Sequence, residues 1–109
     1  MIYTIGGSKL DFDFQRIKEK GCNIVVGTVG RVFDLIERKV FCLRDLDVLV
    51  MDEADKLLEE GAELKLSYIL NAIPRQRRTG LFSATMTSQL KNLIKTGMRN
   101  PYFVDVKHQ

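Results

Sequence analysis

Cysteine, histidine and proline are scarce in this sequence, and each scarcity removes a class of protein. Cys22 and Cys42 stand too far apart for a CxxC pair, and with His108 as the single imidazole they offer no zinc spacing. Both thiols are expected to be reduced. Pro74 and Pro101 each fall at the edge of an expected element, and neither repeats nor low-complexity segments occur. No signal peptide precedes the first strand-like run, and no apolar stretch approaches membrane-spanning length. The expectation is a soluble intracellular protein with no membrane partner.

What is present fits one small domain. The chain has 109 residues, of which 45% are hydrophobic, enough for a core but with little stability to spare. Lys and Arg number 17 against 14 Asp and Glu, for a formal charge of +3. That balance permits an anionic partner without demanding one.

Five short runs rich in Ile, Val, Leu and Phe read as strands: Ile2 to Ile5, Asn23 to Gly27, Asp47 to Met51, Thr79 to Phe82 and Tyr102 to Val106. Most lack polar alternation, which predicts strands covered on both faces, as in a parallel sheet. Helical spacing lies between them. Phe12, Phe14 and Ile17 open one helix before Gly21; Val32, Leu35 and Ile36 form another after Gly30. Leu64, Leu66, Ile69, Leu70 and Ile73 form a third, closed by Pro74. Leu90, Leu93, Ile94 and Met98 form a fourth, with Thr87 as its N-cap and Gly97 near its end. Alternating strands and helices define an α/β fold.

Ligands of open α/β sheets gather beyond the carboxyl ends of the strands. Four polar sets follow strands here: Gly6-Gly7, Thr28-Val29-Gly30-Arg31, Asp52-Glu53-Ala54-Asp55 and Ser83-Ala84-Thr85. Asp52 and Glu53 suit a nucleotide hydrolase, in which the first carboxylate holds a hydrated Mg²⁺ and the second orients and deprotonates water. A bare Asp-Glu pair is better read as acids at the start of a helix near Asp55, where the dipole favours negative charge. The neighbouring residues and the preceding strand put the hydrolase reading first. Ser83 and Thr85 can hydrogen-bond to Asp55, although such hydroxyls alone are more often N-caps. Ser83 lacks the GxSxG elbow and the nearby histidine of a hydrolase nucleophile.

Thr28, Gly30 and Arg31 combine a helix start, a hydroxyl and a guanidinium, which suits a phosphate as well as it suits an ordinary turn. Gly6-Gly7 is either a turn or a place where a nucleic-acid backbone approaches closely. Ser8-Lys9 is no phosphate loop, because GxxxxGK[ST] occurs nowhere in the chain. Arg75, Arg77 and Arg78 form the densest basic cluster and read as a solvated connection.

In order and position, GG, TVGR, DEAD and SAT resemble the motifs of the DEAD-box family of ATP-dependent RNA helicases, as do the runs LDVLVMDEADKLLE and QRRTGLFSAT. The latter is most similar to members that assist large ribosomal subunit assembly. The resemblance covers essentially the whole chain. It implies that residues 1 to 109 are the later portion of the first RecA-like, ATP-binding domain, with a mostly parallel sheet flanked by helices but without the phosphate-loop strand. Asp52 then reaches Mg²⁺ through water, Glu53 activates the hydrolytic water, and Asp55 with Ser83 and Thr85 couples ATP hydrolysis to RNA unwinding. Gly6, Gly7, Thr28, Gly30 and Arg31 contact the RNA sugar-phosphate backbone, which carries no base sequence. The implied cofactors are ATP and Mg²⁺, and the implied partners are RNA and the remainder of the helicase core. The nucleus or nucleolus, with the cytoplasm as alternative, is the implied location.

Two departures stand against that pattern. Val29 occupies the place where the family usually has proline, which removes a φ constraint from the loop. The adenine-reading motif, the phosphate loop and the second domain with its arginine fingers have no counterpart in these residues. Activity is therefore expected in a longer protein and not in these residues alone. The alternative is a non-catalytic RNA-binding or protein-interaction module. In the family, the phosphate-loop strand and the one after it lie inside the sheet, so their loss exposes strand edges. The chain is expected to close those gaps by direct strand pairing, by exchange with another copy, or with a complementary segment.

Overall fold

The computed structural model describes residues 2–4, 23–40 and 43–106. Gly6, Gly7, the expected helix around Phe12, Phe14 and Ile17, both cysteines and His108 lie outside the described residues. Among the described residues, β1 (Ile2–Thr4) pairs in parallel with β2 (Ile24–Val26), and β3 (Val48–Met51) pairs in parallel with β4 (Arg78–Leu81). Registers run from Ile2 opposite Ile24 to Thr4 opposite Val26, and from Val48 opposite Arg78 to Met51 opposite Leu81. Helices α1 (Val29–Glu37), α2 (Ala54–Glu59), α3 (Glu63–Ala72) and α4 (Ser88–Gly97) complete the described elements. The α/β alternation read from the sequence is thus the architecture observed.

Local chemistry sets the helix ends. Thr28 Oγ1 accepts the Arg31 N–H at 3.3 Å and caps α1, while Thr87 Oγ1 accepts the Leu90 N–H at 3.1 Å and caps α4. The exits of α1 and α2 use paired reverse bonds. In α2, Gly61 N–H meets the Leu58 carbonyl and Ala62 N–H meets the Leu57 carbonyl, with Gly61 at φ 81°. In α1, Lys39 N–H meets the Ile36 carbonyl and Val40 N–H meets that of Leu35, which places Lys39 at φ 57°. A lysine therefore holds a backbone conformation that suits glycine.

The core forms where α2, α3 and α4 cover the β3–β4 pair. Met51, Ala54, Leu58, Leu66, Leu90, Leu93 and Ile94 make one buried cluster, with Val29, Leu49, Leu57, Leu70, Leu81 and Met98 packed on it. Helix α1 lies against α3, where the Phe33 and Tyr68 rings meet edge to face at 4.9 Å and Lys65 Nζ sits 5.4 Å from the Phe33 ring centre. Leu64, expected in the apolar stripe of α3, faces solvent instead; Leu66 and Ile69 carry the burial.

One expectation fails here. No strand forms at Tyr102 to Val106, and these residues run without ladder bonds, Tyr102 being 91% exposed. A strand exists only when a neighbour takes its backbone groups, and none lies beside this run among the described residues. Of the three ways of closing the gap, direct pairing does not occur among the described residues. The two strand pairs remain separate, and Val48 and Val50 of β3 are 53% and 57% exposed. Ile24 and Val26 of β2 are exposed in the same way.

Candidate functional site at the strand ends

The β3–β4 ladder continues past both strands and fixes the loops that follow them. Phe82 N–H donates to the Met51 carbonyl at 2.9 Å, and Ala54 N–H donates to the Phe82 carbonyl at 3.0 Å. The Asp-Glu-Ala-Asp turn is thereby fastened to the strand that leads into Ser83. Asp55 completes the link. Its Oδ2 accepts the Thr85 hydroxyl at 2.7 Å and the Thr85 N–H at 3.2 Å, and its own N–H donates to Ser83 Oγ at 3.3 Å. Ser83 Oγ donates in turn to the Thr85 carbonyl at 2.8 Å, and Asp55 Oδ1 accepts the Lys56 N–H at 3.0 Å.

Asp55 is buried, yet its pKa lies below the ordinary 3.8. The Thr85 hydroxyl is the largest cause. Burial opposes it, and the Ser83 hydroxyl and the N–H groups of Lys56 and Thr85 add to the lowering. A carboxylate surrounded by donors stays ionised, so the group works as a fixed anionic acceptor and not as a proton carrier.

Asp52 and Glu53 differ from Asp55 in being exposed. Asp52 Oδ1 accepts the Glu53 N–H at 2.9 Å, and no hydrogen bond to its other oxygen occurs among the described residues. Glu53 takes φ 50° and ψ 48°, and turns the chain sharply from β3 into α2. Its carbonyl receives the Lys56 and Leu57 N–H groups while its side chain caps nothing. Glu53 nevertheless stands at the N-cap of α2 with Asp55 in the first turn, so the placement of acids at a helix start holds without a side-chain cap bond. The one ionic contact of Glu53, to Lys56 Nζ at 3.3 Å, joins two exposed side chains and restrains the carboxylate weakly.

These residues fit one half of a Mg²⁺-nucleotide site. No group of three or more His, Cys, Asp or Glu among the described residues can hold a metal by itself. A single exposed carboxylate suits an ion whose other ligands are waters and phosphates.

Thr28, Gly30 and Arg31 form the first turn of α1, after β2. Val29 is the first helical residue, the position at which proline is also favoured, and it packs on the core. A Cβ added at Gly30 would meet only Lys65 Nζ, at 3.8 Å. Packing within the described chain therefore does not require glycine at this point. The strand ends bring Asp55, Ser83 and Thr85 into contact and set Asp52 and Glu53 beside them; Thr28, Gly30 and Arg31 follow the other strand pair.

Sequence reasoning missed Arg77. Its sequence neighbourhood places it with Arg75 and Arg78 in a solvated connection, but it is half-buried and donates to the Pro74 and Gly97 carbonyls, both at 2.9 Å. Burial pushes its pKa down. The signal lay in the helix ends marked by Pro74 and Gly97, whose carbonyls need donors.

An acid pair thus closes one parallel strand, and a third acid is tied to the hydroxyls that follow the next strand, in an α/β fold. The chain belongs to the DEAD/DEAH box helicase family, whose model matches residues 1–93. It is 48% identical over 114 aligned positions to the human ATP-dependent RNA helicase DDX55, covering 99% of this chain and 19% of that protein. Identity to DEAD-box ATP-dependent RNA helicase 18 of Arabidopsis thaliana is 45% over 107 positions, or 97% of this chain and 18% of that one. A DEAD box protein from the hyperthermophile Methanococcus jannaschii superposes with a TM-score of 0.83 at 38% identity, over 91% of this chain and 27% of that chain. The yeast DEAD-box splicing factor Prp28 superposes at 0.79 with 30% identity, over 90% and 23%. The fold is accordingly part of a RecA-like domain, and the chain spans about a fifth of the length of the curated relatives it matches.

Proposed function

We propose that residues 1 to 109 are the later portion of the first RecA-like domain of an ATP-dependent RNA helicase, and carry its metal-and-water half. The hydrogen-bonded tie from Asp55 to Ser83 and Thr85 supports this most directly, because it joins the acid turn to the next strand end as a coupling element must. Asp52 holds the water shell of Mg²⁺, and Glu53 orients and deprotonates the attacking water. Bound Mg²⁺ supplies charge neutralisation at the phosphates. Thr28, Gly30 and Arg31, with Gly6 and Gly7, contact the RNA backbone without reading bases. The absence of a phosphate-loop sequence makes the isolated chain inactive, and a role in ribosome assembly accords with the similarity at QRRTGLFSAT.

In the longer protein, Glu53→Gln is expected to lower phosphate release at least a hundredfold, as loss of a general base does. Thr85→Ala is expected to preserve release while unwinding falls. Equal loss of both activities in Thr85→Ala would remove the coupling role.

The exposed apolar residues of β2 and β3 favour a second reading, a protein-interaction module that self-associates through open strand edges. Sedimentation of the chain at rising concentration is expected to show dimers. A strict monomer throughout would contradict this reading.

A further inference from the structure

At the end of the β3–β4 pair remote from the acid turn, Arg75, Arg77, Arg78 and Arg99 line one cleft of about 760 Å³ with Asp47, Val48, Gln76 and Asn100. Three strand residues, Leu49 to Met51, at about 3.3 Å each separate this cleft from the acid turn by roughly 10 Å, so the two are distinct places on the molecule. Its volume falls within the range of ligand sites, roughly 300 to 1,000 Å³.

The cleft carries an excess of positive charge. Asp47 is its single carboxylate, and among the described residues no ion pair engages Arg75, Arg78 or Arg99. The framework is nevertheless fixed. Arg77 joins the carbonyl of Pro74, after α3, to that of Gly97, at the end of α4, and so holds together the segments that carry the other three arginines. Arg78 is anchored separately by its N–H bond to the Asp47 carbonyl at 2.8 Å.

We propose that this cleft docks an acidic polypeptide segment, with Arg75, Arg78 and Arg99 taking carboxylates and Gln76 and Asn100 bonding peptide groups. Guanidinium forks match carboxylates two bonds at a time. Single-stranded nucleic acid fits less well, because no aromatic ring lines the cleft to stack a base. Asp47 also interrupts the positive field that a regularly spaced phosphate chain needs, whereas a peptide can place a neutral or basic side chain opposite it.

The test is fluorescence anisotropy of labelled octaglutamate and octaglutamine with the 109-residue chain at low ionic strength, with duplex RNA titrated in parallel. Octaglutamate is expected to bind at least tenfold more tightly than octaglutamine. Reversal of two charges in Arg75→Glu with Arg78→Glu should weaken it on the order of tenfold or more, since like charges placed together in an interface repel. Lys91→Glu with Lys95→Glu changes net charge equally and should leave the cleft's binding intact. Arg99→Glu, on a different segment, and the milder Arg75→Gln repeat the test should the double variant lose its circular dichroism spectrum. Equal binding of the two peptides, or octaglutamate affinity indifferent to the cleft arginines, would overturn the proposal. So would duplex RNA binding that depends on those arginines while octaglutamate does not bind.

Discussion

Each oxygen of the Asp55 carboxylate has its own partners, Lys56 N–H on Oδ1 and the hydroxyl and N–H of Thr85 on Oδ2. The folded state therefore prefers the ionised form, and the folded pKa is below 3.8. The associated stability is fully present above that value and is lost as pH falls through the folded pKa. Asp55→Asn, with one acceptor oxygen left, should be less stable at neutral pH, and its difference from the wild type should shrink below pH 3.8. Urea unfolding of both chains across that range checks this; parallel stability curves would contradict it. This contact was legible from spacing, because Ser83 and Thr85 end the strand expected beside the acid turn. The left-handed backbone of Glu53 was not, since only the sharp turn from β3 into α2 imposes it on a residue that local preference keeps out of that region.

At the scale of the element, the same exit geometry appears after α1 and α2 with opposite residue choices. Gly61 meets its positive φ at no steric cost, and Lys39 meets one at a cost. Lys39→Gly should raise stability by about 0.5–1 kcal/mol, and Gly61→Ala should lower it by about 1 kcal/mol, both read from thermal or urea unfolding. A lysine variant no more stable with glycine would mean that the α1 exit relaxes in solution. Helix starts were easier to read than strands. Thr28 and Thr87 carry their caps in the local sequence, whereas Tyr102 to Val106 has strand composition and no strand, because pairing depends on a neighbour that composition cannot supply.

For the whole molecule, the sheet divides the site as it divides itself. The acid turn and its hydroxyl partners are carried by β3 and β4, while the α1 turn follows β2, and exposed strand faces lie on both pairs. The clustering of Arg99 with Arg75 and Arg78 is also a property of the whole, since α4 brings it across from 21 residues away in the chain. No spacing rule reports such a meeting. The proposed function makes these residues the metal-and-water half of a hydrolytic site that needs a phosphate-holding half from the rest of the protein. Phosphate release from Mg²⁺-ATP by the 109 residues alone, set beside that of the longer helicase, tests it most directly. No release above buffer is expected from the 109 residues, and turnover in the longer protein is expected to depend on Glu53; release by the 109 residues alone that Glu53→Gln abolishes would contradict the proposed function.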